Sequence, residues 1–182
     1  MYVSPRPLDE AFNLYYQEAP SSIYWATTFY KETEEARREK LWKPKAMEIQ
    51  HIVQKFSSVK NSVVVDVGGG YGLFADEIKK LSGWRTIVIE PGPHLASVCR
   101  KNGHEVVESF LEEVTIDDLP FSPKTFTSFE LFEHLHDPKL FLGKLSKLMS
   151  SGDIFIFTTL SESELIFKRF GKILSLYPSS SP

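Results

Sequence analysis

The stretch of residues 63–75 constrains the fold of this chain more than any other part of its sequence. It begins Val-Val-Val-Asp-Val, and such a run of β-branched residues is typical of a buried parallel strand. Glycines follow at Gly68, Gly69, Gly70 and Gly72, and apolar residues then recur at helical spacing. A strand, a sharp glycine turn and a helix form the unit that holds a nucleotide-like ligand, because glycine lets the ligand approach bare backbone.

The rest of the chain repeats the alternation of strand and helix with short links. Five apolar segments are predicted as strands: residues 63–67, 84–89, 104–108, 125–131 and 154–159. Strands that alternate with helices in this way are typical of an α/β fold with a doubly wound, mainly parallel sheet. We therefore expect a Rossmann-like architecture with the glycine turn at the carboxyl end of the first strand.

The glycine pattern is compatible with either of two cofactor classes. Gly70-x-Gly72-x-x-Ala75 fits the dinucleotide pattern, but Asp66 at the strand end would repel a pyrophosphate and attract an ammonium or sulfonium group. Asp66-x-Gly68-x-Gly70-x-Gly72 resembles motif I of the class I S-adenosylmethionine-dependent methyltransferases. A turn that serves packing alone is the remaining alternative. The pattern favours S-adenosylmethionine over NAD.

Two further segments suit the adenosine part of such a cofactor. Glu90 follows the second strand about twenty residues beyond the glycines, where a carboxylate can accept from both hydroxyls of a ribose. Dinucleotide and S-adenosylmethionine sites both use this arrangement, so Glu90 does not distinguish the two cofactor classes. The resemblance implies that Phe110 and Leu111, after the third strand, lie beside the adenine ring, although core residues would have the same pattern.

The segment after the fourth strand extends the resemblance. Glu130-x-x-Glu133-His134, followed by Asp137-Pro138, resembles small-molecule methyltransferases of the ubiquinone-biosynthesis type. The resemblance covers roughly residues 40 to 160. It implies a class I fold and a role for Glu130 on the far side of the cofactor.

His134 has three interpretations. A methyl group on a sulfonium is already activated, so the protein must align the acceptor and exclude water, and a base is needed only for a hydroxyl or a protonated amine. His134 is the candidate catalytic base, since its neutral form is available near pH 7. It could instead fix the loop by hydrogen bonding, or share a divalent metal with Glu130 and Glu133 from one helical turn.

Residues 1–45 are predicted to form an N-terminal arm with helices. Residues 1–30 are rich in aromatic residues and prolines and have no clean period, which predicts a loose arm with short helical pieces, and residues 31–41 are predicted to be strongly helical. The arm either closes over the ligands as a lid or packs on the core. Five basic residues near its end are diluted by glutamates and are interpreted as a solvated helix face: Arg37, Arg38, Lys40, Lys43 and Lys45. Five apolar residues are expected on the buried stripe of the next helix: Met47, Ile49, Ile52, Val53 and Phe56.

The composition excludes several classes of function. A net charge of −3 without a long basic run argues against a nucleic-acid partner. Cys99 is the single cysteine, so no internal disulfide can form and a reducing compartment is expected. No apolar run is long enough for a membrane span, and no signal peptide opens the chain. We expect a soluble cytoplasmic protein.

The part after residue 160 is the least regular. Class I methyltransferases add two more strands after the fifth, whereas residues 161–182 suggest one amphipathic helix and a truncated or frame-altered tail. The fifth strand would then be an open edge, through which, or through the N-terminal arm, the chain could form a homodimer. With residues 46–160 as the cofactor-binding domain, the prediction is methyl transfer to a small molecule; the alternative is a catalytically weak cofactor-binding module that acts through a partner.

Overall fold

A five-stranded parallel sheet organises the computed structural model, which describes residues 7–56, 63–120 and 124–159. The strands are β1 (Val63–Val67), β2 (Arg85–Ile89), β3 (Glu105–Val107), β4 (Lys124–Phe129) and β5 (Ile154–Thr158). Their order is β3-β2-β1-β4-β5, and every neighbouring pair is parallel. This confirms the predicted α/β fold with a doubly wound sheet.

Helices pack against both faces of this sheet. They are α1 (Asp9–Glu18), α2 (Pro20–Tyr24), α3 (Tyr30–Arg37), α4 (Lys43–Phe56), α5 (Leu73–Ser82), α6 (Pro93–Lys101) and α7 (Pro138–Leu148). Strand β1 is central and buried along its whole length. Its alternate residues face two separate cores, one with α7 and one with α4 and α5. The valine run is therefore explained by burial on both faces.

Residues 9–30 are more helical than the loose arm predicted for residues 1–30, and the helix predicted for residues 31–41 is present. Helical backbone continues without a break through residues 20–56, and two π-helical turns, Trp25–Phe29 and Arg38–Trp42, flank α3. The second π turn precedes Pro44, which has no N–H and whose ring crowds the carbonyl four residues earlier. A widened turn accommodates that proline in the first turn of α4.

The predicted apolar stripe of α4 is wrong at two positions. Ala46, Ile49 and Val53 face the core, whereas Met47 is 62% exposed and Phe56 is 47% exposed. Residues 46, 49 and 53 follow one another at intervals of three and four, so they share a narrow face of the helix. Met47 lies one residue, about 100° of helical rotation, from that face.

Strand β4 ends two residues earlier than the pattern predicts. Glu130 has a φ of 54°, a left-handed conformation that takes the backbone out of the strand before Leu131. Strand β5 is half-buried along its length, and the predictions for residues 161–182 lie outside the described residues. Within the described ranges, none of the helices is long and apolar enough to cross a membrane.

Candidate active site

The glycine turn lies between β1 and α5. Gly68, Gly70 and Gly72 have φ values of 70°, 56° and 79°, which favour glycine. A Cβ at Gly68 would come within 2.9 Å of Leu131 Cδ2, and one at Gly72 within 2.9 Å of Cys99 Sγ, whereas a Cβ at Gly70 would meet no atom within 4 Å. Packing therefore explains two of these glycines, and Gly70 faces open space.

Asp66 is a buried acid beside this turn. Its side chain is held by Thr127, whose hydroxyl donates to Oδ1 over 2.8 Å. Burial raises the pKa of Asp66 to about 7; the hydrogen bond from Thr127 lowers it and the charge of Glu90 raises it further. No cation forms an ion pair with Asp66 in the described part of the chain. The site thus contains an acid that a positively charged ligand would stabilise in its ionised form.

Glu90 joins the glycine turn to the end of β2. Its Oε2 accepts from the N–H of Gly70 and its Oε1 from the N–H of Gly92, each over 2.9 Å. Burial raises the pKa of Glu90, and the two backbone hydrogen bonds lower it only in part. A carboxylate has four lone-pair sites, so Glu90 can still accept from a ligand.

Two cavities meet at the turn and share Tyr30, Gly68 and Gly70 in their walls. The smaller, of about 150 Å³, contains Asp66 and Glu130. The larger, of about 350 Å³, contains four other predicted residues: Glu90, Phe110, Leu111 and His134. All the predicted site residues but Gly72, which is buried behind the turn, therefore line one cavity or the other.

Glu130, Glu133 and His134 do not form a metal centre. Glu130 accepts from the hydroxyl of Thr158 over 2.8 Å, and Glu133 accepts from that of Thr159 over 3.0 Å. Among the described residues there is no group of three or more metal-ligating side chains that could hold an ion. The left-handed backbone of Glu130 places it outside the 3₁₀ turn Phe132–His134, so the helical face assumed for these residues does not exist.

His134 ends that 3₁₀ turn and is exposed at the wall of the larger cavity. Its backbone N–H donates to the carbonyl of Leu131 over 2.9 Å, which shapes the turn. The side chain is thus within the candidate site and accessible to a ligand. Its role as a base stays a prediction.

Four wall residues come from the N-terminal helical segment and were not predicted as site residues: Tyr16, Tyr30, Arg37 and Trp42. Tyr30 stacks on Tyr71, with ring centroids 5.6 Å apart and planes at 19°, and the guanidinium of Arg37 lies 5.3 Å from the centroid of Tyr30. Arg37 and Trp42 both line the smaller cavity. The spacing of seven between residues 30 and 37 was the available signal, since it puts both on one helix face.

Arg38 belongs to a polar network behind the turn. Its guanidinium donates to Asp76 over 2.8 Å, to Glu77 over 2.6 Å and to Glu34 over 2.8 Å. The imidazole of His104 contacts Asp76 over 2.7 Å on its other side. Arg38 is only 8% exposed, so the interpretation of the basic cluster as a solvated face is wrong at this position.

The described fold agrees with a comparison of the chain with known protein families. A family model described as a methyltransferase domain matches residues 37–177, which is most of the chain. The chain belongs to this methyltransferase family. The resemblance inferred from motif I is therefore confirmed. None of the curated proteins compared with the chain matches it.

Solved structures share the fold at low sequence identity. The plantazolicin methyltransferase BpumL, in complex with SAH, has a TM-score of 0.62 and 13% identity, over 82% of this chain and 57% of that one. DesVI from Streptomyces venezuelae has a TM-score of 0.57 and 15% identity, over 71% and 56%. A provisionally assigned S-adenosyl-L-methionine-dependent methyltransferase from Methanococcus maripaludis has a TM-score of 0.56 and 14% identity, over 70% of this chain and 61% of that one. This chain spans about three fifths of the length of these proteins.

Proposed function

We propose that the chain binds S-adenosylmethionine across the glycine turn and transfers its methyl group to a small-molecule acceptor. The observation that carries the proposal is the pair of cavities that meet at Gly68 and Gly70, one with Asp66 and the other with Glu90 in its wall. S-adenosylmethionine has a cationic amino-acid end and an adenosine end joined at the sulfonium. Two unequal cavities with acidic residues in the walls of both suit such a ligand.

The smaller cavity suits the amino-acid end. Asp66 is buried without a cationic partner among the described residues, and a buried acid of this kind is stabilised by a nearby positive charge. S-adenosylmethionine carries an ammonium and a sulfonium group, whereas the pyrophosphate of a dinucleotide would be repelled. Glu130 lines the same cavity and adds a second acid.

The larger cavity suits adenosine. Glu90 can accept from the ribose hydroxyls while it keeps its bonds to the turn. Phe110 and Leu111 offer apolar contacts for the adenine ring, and the ring of Tyr16 packs edge-on against Phe110 at 5.7 Å. The N-terminal helices thus cover this end of the site, which supports the lid proposed for residues 1–45.

Catalysis in this proposal consists of alignment, exclusion of water and, for some acceptors, removal of a proton. The methyl group is activated by the sulfonium, so an in-line nucleophile suffices for the transfer. His134 lines the larger cavity and would take the proton from a hydroxyl or a protonated amine. The net charge of −3 supports a small-molecule acceptor over a nucleic acid.

The cofactor is tested by isothermal titration with S-adenosylmethionine and with NAD. We expect binding of the first and none of the second. Gly70→Val should reduce the affinity for S-adenosylmethionine more than about a hundredfold, because a side chain would fill the space between the cavities and strain a backbone with a φ of 56°. Gly143→Val is the matched control, since a Cβ at Gly143 in α7 would also meet no atom within 4 Å, but Gly143 lines neither cavity. Unchanged binding by Gly70→Val would contradict the proposed position.

Transfer is tested by incubating the protein with methyl-labelled cofactor and a panel of phenols, amines and carboxylic acids. For a hydroxyl acceptor, His134→Gln should lower the rate by about a hundredfold or more without changing cofactor affinity. An unchanged rate would exclude His134 as the base. Binding without transfer to any acceptor would support the cofactor-binding module instead.

A further inference from the structure

Part of the wall of the larger cavity is not used by the proposed cofactor contacts. Four consecutive residues, 134–137, line it between the 3₁₀ turn and α7, and Leu140 lines it from the first turn of α7. The proposed base, His134, belongs to this segment, and a base must lie within hydrogen-bond reach of the proton that it removes. The acceptor of the proposed transfer therefore binds beside residues 134–137, and the surrounding wall decides which acceptors fit.

The charges of this wall have one sign. Within the described ranges, no lysine or arginine lines the larger cavity, whereas the smaller cavity has Arg37 in its wall. The acids that line the larger cavity are Glu90, Glu112, Glu113 and Asp137. None of them forms an ion pair with a described residue. A cavity with walls of one sign attracts ligands of the opposite charge and repels those of the same charge.

Asp137 brings one of these charges next to the proposed base. Its Oδ1 accepts from the backbone N–H groups of Lys139 and Leu140 over 2.9 and 3.0 Å, and so caps α7. The hydrogen bond from Leu140 lowers the pKa of Asp137, and that from Lys139 lowers it further, so the carboxylate is ionised at neutral pH. Its Oδ2 has no hydrogen-bond partner in the described part of the chain. This oxygen is available to an ammonium group.

Apolar side chains complete this part of the wall. They are Leu131, Leu135, Leu140 and Phe141. Leu140 is 58% exposed, and Leu131 and Leu135 are half-buried. Burial of exposed apolar side chains against the carbon framework of a ligand is favourable. The wall thus suits a ligand that has an apolar body and a positively charged head.

We propose that the methyl acceptor is a small primary or secondary amine with an apolar body, bound beside residues 134–137. The inference rests on the proposed function and names the class of its acceptor. His134 takes a proton from the ammonium, and the freed lone pair of the nitrogen forms a bond to the methyl carbon. The carbon–sulfur bond breaks, and its electron pair stays on the sulfur.

This transfer moves a positive charge from the cofactor to the acceptor. The sulfonium becomes a neutral thioether, and the nitrogen of the methylated product is positively charged. Acids already fixed in the wall stabilise a charge that develops there during the reaction. A carboxylate acceptor would instead enter a wall of like charges and leave as a neutral ester, so the same acids would hinder its binding.

Three compounds with the same phenyl body and different heads test the proposal: phenethylamine, phenethyl alcohol and hydrocinnamate. Transfer from methyl-labelled S-adenosylmethionine is measured for each, and isothermal titration measures the binding of each to the protein saturated with S-adenosylhomocysteine. The value of kcat/KM for phenethylamine should exceed that for hydrocinnamate by at least about tenfold. Phenethylamine should also bind most tightly of the three.

Asp137→Asn tests the role of the loop. Asparagine still caps a helix, so α7 should keep its start while one charge is lost. The value of kcat/KM for phenethylamine should fall about two- to fivefold, as expected for an exposed charge, and that for phenethyl alcohol should stay the same. Asp117→Asn is the matched control, because Asp117 is exposed and lines neither cavity. Unchanged affinity for S-adenosylhomocysteine shows that each variant is folded.

Several results would overturn the amine acceptor and leave cofactor binding standing. Preferential methylation of phenethyl alcohol or hydrocinnamate is one, and binding of none of the three compounds, or of phenethylamine without transfer, is another. A third is an equal effect of Asp137→Asn and Asp117→Asn on phenethylamine, since no charge of the loop would then be involved. Failure of the wild-type protein to bind S-adenosylmethionine would overturn the proposed function, and the acceptor class with it.

Discussion

Two pairs of acids lie on either side of the glycine turn and differ in what faces them. Asp66 and Glu90 lie on the cavity side, and in the described part of the chain no cation pairs with either. Asp76 and Glu77 lie behind the turn on α5, and Arg38 contacts them over 2.8 and 2.6 Å. Only the second pair is neutralised by the protein.

The partners decide the direction of the pKa shifts. Burial raises the pKa of Asp66 to about 7, because the one hydrogen bond from Thr127 compensates little. Burial would also raise the pKa of Asp76, but hydrogen bonds from His104 and Arg38 outweigh it and the pKa is lowered. The comparison teaches that acids paired with a protein cation hold the fold together. Acids left without one mark the place for a cationic ligand.

The largest expected effect comes from removing the arginine that pairs with Asp76 and Glu77. Arg38→Met would take the guanidinium away from the buried Glu77 and the half-buried Asp76, and the free energy of unfolding should fall by about 3–5 kcal/mol. Urea denaturation followed by circular dichroism measures it. A loss below about 1 kcal/mol would mean that the network does not hold α3 to α5.

Substitution of Asp66, which has no cationic partner among the described residues, should lower cofactor affinity and leave stability intact. Asp66→Asn keeps the shape and removes the charge, so the affinity for S-adenosylmethionine should fall by about 1.5–3 kcal/mol, roughly ten- to hundredfold. The free energy of unfolding at pH 7 should stay the same or rise, because no protein cation is left unpaired. Titration and urea denaturation of the same preparation give both values. A destabilisation as large as that of Arg38→Met would remove the distinction between the two pairs.

The pH dependence of stability sharpens the comparison. The folded pKa of Asp66 is about 7 and its ordinary value 3.8, so between about pH 4 and 7 the folded state holds a proton that the unfolded state has lost. Asp66 should therefore lower the free energy of unfolding as pH rises through this window, by up to about 1.4 kcal/mol per pH unit, with no further change above it.

Urea denaturation of the wild-type protein and Asp66→Asn at several pH values isolates this contribution. The difference between the two proteins should grow from pH 4 to 7 in favour of the variant. Asp76, whose pKa is lowered, has the opposite sign, since its stabilisation is lost only as pH falls through its folded value. A constant difference across the window would show that Asp66 is ionised throughout.

The smallest effect should come from an exposed ion pair. Arg85 and Glu105 lie 2.5 Å apart on β2 and β3, with side chains 50% and 53% exposed. Water and salt screen such a pair, so Arg85→Met should change the free energy of unfolding by less than about 1 kcal/mol. Measured in the same denaturation assay, Arg85→Met is the matched control for Arg38→Met. Similar losses in both variants would show that burial of the pair is not what matters.

Much of the fold could be predicted from local patterns. The end of α5 at Gly83 and the start of α6 at Pro93 follow from glycine and proline, whose backbone preferences act within one or two residues. Asp66 and Glu90 were predictable because the carboxyl ends of adjacent parallel strands meet at one edge of a sheet. The metal hypothesis failed because a single left-handed residue, Glu130, ended the assumed helical face.

The sequence by itself determined the alternation of strands and helices, the glycine turn and the acids at its strand ends, since each depends on residues close together in the chain. Only the tertiary structure decided the roles of Arg37 and Arg38. These neighbours differ by about 100° around one helix, so one reaches the cavity and the other the acids of α5. Which of them meets which partner depends on the packing of segments that are some forty residues apart, and no local pattern records that packing.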